Sequence, residues 1–229
     1  MWQKLTEQVG PENLTVIAVA LDSAPGAPDA FIREANVTYP ALIDREHHVA
    51  ELYNLVNVPQ AVWINEEGRI VRPPEPAGAF DFLNKRGPDT TQEEIAELME
   101  QGRRAKLLYL DAIRDWVAKG DASAYAYSEA EARAHFAQPD DSVREAHVNF
   151  RLGQHLIAAG RGDEGRAFVE EAKRLHPESW AMFREAAEKL ESGPMAGIAA
   201  AADFAERLAE RAAANKPYYT PIDIDGLPS

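Results

Sequence analysis

Apolar positions follow two regimes along this chain. Through about Val71 they come in short, dense, β-branched runs. Beyond Thr90 they recur three and four residues apart, the spacing of amphipathic helices. The first regime opens with Trp2, Leu5, Thr6 and Val9 on one face of a short helix, which Gly10-Pro11 ends. Leu14 to Leu21 is almost continuously apolar, which predicts a parallel strand covered on both faces. Asp22 to Gly26 reads as a turn, Pro28 to Asn36 as a helix with Phe31 and Ile32 inward, and Tyr39 to Asp44 as an extended piece. A helix over Glu46 to Leu55 follows, with Val49, Leu52 and Tyr53 as its buried face. Ala61 to Ile64 and Arg69 to Val71, joined by the polar turn Asn65-Glu66-Glu67-Gly68, predict a β-hairpin with Trp63 in its core. Pro73, Pro74, Pro76 and Gly78 then break the pattern and predict a loop to about Asp89.

The second regime is helical. Thr90-Thr91-Gln92-Glu93-Glu94 has capping-box spacing twice over, and Ile95, Leu98, Leu107, Leu108 and Ile113 carry that helix to about Ala118. Ser142-Val143-Arg144-Glu145 is a further capping box, opening a helix that Gly160 ends. A second helix then runs to Pro177. A weaker repeat of the pattern is read from Trp180, Phe183 and Ala187 and from Ala199 to Ala213, before an aromatic tail, Lys216 to Pro221. The expected architecture is an α/β domain over residues 1–88 followed by an all-α region over 89–229.

Composition narrows the chemistry. The 229 residues carry a net charge of −14, and the densest basic stretch, Arg103-Arg104-Ala105-Lys106, lies inside a helical pattern. That excludes nucleic acid as an unassisted partner, since phosphate backbones are held by Lys/Arg clusters. No apolar run is long enough for a membrane-spanning helix. There is no cysteine, so disulfides, thiolate metal sites and thiol nucleophiles are all excluded.

Over Thr15 to Val71 the chain resembles the redoxin branch of the thioredoxin superfamily, the TlpA/ResA-like thiol–disulfide oxidoreductases. The matching residues are Val16-Ile17-Ala18-Val19 into Asp22, Tyr39-Pro40 with Ile43-Asp44, Tyr53 with Val58-Pro59, and Trp63-Ile64-Asn65 with Gly68-Arg69-Ile70-Val71. The resemblance implies a thioredoxin-like α/β fold and a cis-proline at Pro59. It also implies a substrate-facing loop, Val58, Pro59 and Gln60, that binds a polypeptide or a disulfide-bearing protein. The family's Cys-x-x-Cys and the central strand before it have no counterpart after Met1. The expected fold therefore lacks its first strand, and an N-terminally truncated product is expected. Residues 141–177, with Leu152-Gly153, Gly160, Ala172 and Pro177, resemble a tetratricopeptide-type helix pair, expected to pack as a small bundle.

No catalytic residue, metal ligand or cofactor is assigned. Asp44-Arg45-Glu46-His47-His48 groups potential ligands, but adjacent helical residues point about 100° apart, and a solvated helix start is expected there. His147 and His155 are spaced to share a helix face without a third ligand. Two functions follow. In the first, the full-length protein is a thiol–disulfide oxidoreductase whose redox cysteines are absent from this chain. In the second, the chain is a redox-inert module for polypeptide binding or scaffolding.

Overall fold

The computed structural model describes residues 1–21, 26, 28–55, 58–79, 90–136, 139–179, 182, 209–210, 213–214 and 222–227. The turn at 22–25, most of the expected loop to Asp89, the second helical repeat except Met182, Ala209, Glu210 and Ala213, and the tail at 216–221 lie outside them. The chain forms two compact units built from interleaved segments. One comprises Met1–Leu14, Val58–Ala137 and Leu208–Ser229; the other comprises Thr15–Asn57 and Gln138–Arg207.

In the first unit, α1 (Trp2–Val9) buries Leu5 and Thr6. The predicted hairpin is present as β3 (Gln60–Ile64) and β4 (Ile70–Pro76), paired antiparallel. Its turn is closed by the Asn65 side chain, which accepts from the Arg69 N–H at 2.9 Å, and Glu66 and Glu67 are exposed there as expected. β4 runs on to Pro76, through the prolines expected to end it. The register shift between Ala61 and Trp63 falls opposite Pro73 and Pro74. Because β4 pairs on one side only among the described residues, prolines there leave few ladder bonds unmade.

The chain leaving β4 passes directly over α4 (Gln92–Lys119). Gly78 has φ of 66°, and a Cβ there would lie 2.9 Å from Lys106 Cα and from Tyr109 Cβ, so glycine is required twice over. α4 begins with the predicted capping box, Thr91 and Glu94 each closing on the other's backbone N–H. Its core stripe is Ala105, Tyr109, Ala112 and Ile113, at helical spacing, whereas Leu107 is exposed. Leu5, Trp63, Val71, Tyr109, Leu110, Ala112, Ile113 and Ile224 form one core. A short helix not foreseen from the sequence, α5 (Glu129–His135), starts at a capping box between Ser128 and Glu131.

The second unit contains β1 (Ala18–Leu21) and β2 (Ala41–Asp44), paired parallel across α2 (Asp29–Ala35), then α3 (His48–Leu52). The expected strand from Leu14 is shorter, and its residues are half-buried rather than fully covered. Phe31 and Leu52, expected inside, are 74% and 70% exposed, while Ala50 is buried. Among the described residues, β1 and β3 belong to separate two-stranded sheets.

α6 (Asp141–Ala158) and α7 (Gly162–Leu175) complete that unit as an antiparallel hairpin. α6 starts two residues earlier than its expected Ser142 cap, because the Asp140 carboxylate accepts from the Val143 N–H at 2.9 Å. Ala146, Phe150, Val169, Ala172 and Met182 form its core. Gly153 and Gly165 face each other at the crossing, where an added Gly153 Cβ would lie 2.8 Å from the Gly165 carbonyl oxygen. No helix among the described residues is long and apolar enough to cross a membrane.

Candidate functional site

Val58, Pro59 and Gln60 lead into β3, and the Val58–Pro59 peptide bond is cis. Pro59 is exposed, and Val58 is 39% exposed. The Pro59 carbonyl accepts from the Ala77 N–H at 3.2 Å, so the end of β4 pins the loop from one side. Gln60 is half-buried opposite Pro76. Its side-chain oxygen is buried with no hydrogen-bond partner, and an orphaned acceptor of this kind costs about 1–3 kcal/mol. The three residues thus combine an exposed apolar ridge with an unsatisfied acceptor.

Behind this loop the hairpin encloses a polar cluster that the sequence reading did not identify. Arg72 is fully buried. Its Nε and Nη2 donate to the two Glu75 carboxylate oxygens, each at 2.8 Å, and Nη1 donates to the Tyr125 carbonyl at 2.9 Å. Nη2 also reaches the Asp223 carbonyl at 3.4 Å. The guanidinium lies 4.5 Å from the Tyr127 ring centroid and 5.4 Å from that of Trp63, within cation–π range. Burial works against the charge on Arg72. The hydrogen bonds and charge of Glu75 outweigh it and raise its pKa.

Trp63 Nε1 donates to the Tyr109 hydroxyl at 2.8 Å. Burial, with the Glu75 charge beside it, pushes the Tyr109 hydroxyl well above its ordinary pKa, so it stays protonated. Trp63 stacks on Trp116 at 5.1 Å. A fully buried guanidinium that already donates four hydrogen bonds is out of a substrate's reach, so the cluster holds the hairpin, α4 and the segment around Asp223 together. The signal in the sequence was a lone arginine beside Ile70-Val71, with an acid three residues on.

The remaining candidates resolve differently. Asp44 is nearly buried, and its carboxylate accepts from the His48 and Val49 N–H groups at 2.9 and 2.7 Å, which caps α3. His47, expected in a solvated helix start, is instead buried edge-on against Phe150 at 5.7 Å, because α6 packs over it. His147 is buried and His155 exposed, since eight helical residues leave side chains about 80° apart. Among the described residues no group of three or more His, Asp or Glu side chains could hold a metal ion.

No curated protein and no solved structure matches this chain. Residues 1–72 match the model of the AhpC/TSA family, a span from α1 through β3 to Arg72. The N-terminal third of the chain is therefore redoxin-like, within the thioredoxin-like group, and it carries no cysteine.

Proposed function

We propose that this chain is a redox-inert, redoxin-derived module that holds an extended polypeptide at Val58, Pro59 and Gln60. The observation that carries the reading is the exposed apolar pair Val58 and Pro59 leading into β3. An extended peptide supplies apolar side chains at alternate positions that such a ridge can hold. The division of the chain near residue 88 belongs to this proposal as a boundary of ancestry: redoxin-like before it, helical after it. So does a tetratricopeptide-like origin for the α6–α7 pair, whose role here is packing.

A second reading places the chain within a TlpA/ResA-like thiol–disulfide oxidoreductase in which cysteines from outside these 229 residues act. The AhpC/TSA match of residues 1–72 favours it. One titration separates the two. An unfolded, cysteine-free peptide added to isotope-labelled chain is expected to shift the amide signals of Val58, Gln60 and Ala77, and Val58→Asp is expected to weaken binding about tenfold, roughly 1.4 kcal/mol. Shifts confined to other residues would reject the peptide site. The chain is also expected not to accelerate disulfide reduction by dithiothreitol.

A further inference from the structure

Three of the six histidines are exposed: His48, His135 and His155. The other three, His47, His147 and His176, are buried, and all three belong to the unit containing the α6–α7 hairpin. Two of them meet. The rings of His147 and His176 lie 5.9 Å apart, tilted by 58°, and are only 9% and 6% exposed. His147 sits near the start of α6 and His176 caps the end of α7, so the pair occupies the open end of the hairpin. The Gly153–Gly165 crossing and the connection at Gly160 lie toward the closed end. One turn inward from the pair are Phe150 and Ala172, both in the hairpin core.

We propose that the His147–His176 pair is an acid-sensitive latch. Proton uptake puts like charges into the buried junction, the open end of the hairpin parts, and the apolar face built on Phe150 is exposed.

The groups around the pair decide whether protonation is tolerated. Glu51 on α3 favours a charged His147, while Arg151, one turn along α6, opposes it. Asp140 at the α6 N-cap and Glu178 just past α7 favour a charged His176, as does the C-terminal end of α7 itself. Burial prevails at both. It lowers the His147 pKa, and burial with the neighbouring His147 lowers that of His176 to about 4.

A free imidazole titrates near about 6.5. The opened hairpin therefore binds more protons than the closed one between that value and about 4. The stabilisation is complete at neutral pH, falls as pH drops through that window, and falls no further below it.

The test uses the full chain. Ring-proton NMR of the wild type is expected to show two histidines protonating below the free imidazole value, His176 the lower of them. Over the same range, fluorescence of a hydrophobic dye should rise about threefold as apolar surface opens. His176→Gln is expected to flatten the dye profile, and the difference between the two profiles removes the carboxylate contribution common to both. A His176→Gln profile that superimposes on wild type would overturn the latch. If that variant does not fold, the wild-type spectra decide alone: buried rings protonating like free imidazole, or protonating without dye uptake, would overturn it equally.

Discussion

Arg72 shows how a single side chain sets the energetics of its surroundings. Its charge is tolerated in the interior because Glu75 meets it with two hydrogen bonds and two backbone carbonyls take further donors. Removing one partner of such a pair strands the other, which costs about 3–5 kcal/mol, whereas replacing both with apolar groups is often neutral. Arg72→Ala is therefore expected to lower the urea midpoint of unfolding sharply, and the double change Arg72→Met with Glu75→Leu to restore most of it. A single variant as stable as wild type would show that the pair contributes nothing. Gln60 is the opposite case: its buried, orphaned oxygen costs stability.

Among the elements, the α6–α7 hairpin depends most visibly on size. Gly153 and Gly165 let the two backbones touch, and a Gly153 Cβ would meet Val169 Cγ2 at 2.7 Å. Alanine is a better helix former than glycine by about 1 kcal/mol, but overpacking at a tight crossing costs about 1–3 kcal/mol. The clash is with backbone as well as side chain, so Gly153→Ala is expected to destabilise the hairpin on balance, read as a lower melting temperature. A higher one would mean the helices separate freely. Helix limits were legible where a local signal marks them, as at Thr91, Gly160 and Pro177. α5 escaped notice because its seven residues bury only Ala132, too little to leave a periodic pattern.

At the scale of the whole molecule, each unit draws on segments from both sides of residue 88. The hairpin core is closed by α4 and by Ile224, and α3 is held to α6 by the Glu51–Arg151 ion pair at 3.1 Å and by His47 on Phe150. A fragment of residues 1–88 would hold incomplete parts of both units. Circular dichroism is expected to show it largely unfolded, and a cooperative melt would contradict the interleaving. The exposed Ile17, Phe31, Leu42 and Leu52 belong to the same picture. Ile17 and Leu42 lie at or beside β1 and β2, Phe31 and Leu52 on α2 and α3, and the packing among the described residues does not cover them.

Local chemistry is what the sequence determined alone. The absence of cysteine removes thiol chemistry, capping residues and prolines mark helix ends, and the short apolar runs around Asn65–Gly68 make a hairpin; each depends on neighbours a few residues away. The sequence also pointed to Val58, Pro59 and Gln60, through their place in a longer pattern. Only the tertiary structure decided that β1 and β3 lie in separate sheets, that Arg72 is buried among Trp63, Tyr109 and Tyr127, and that His147 meets His176. Those outcomes depend on which distant segments exclude water from a given side chain. No periodicity within one segment carries that information.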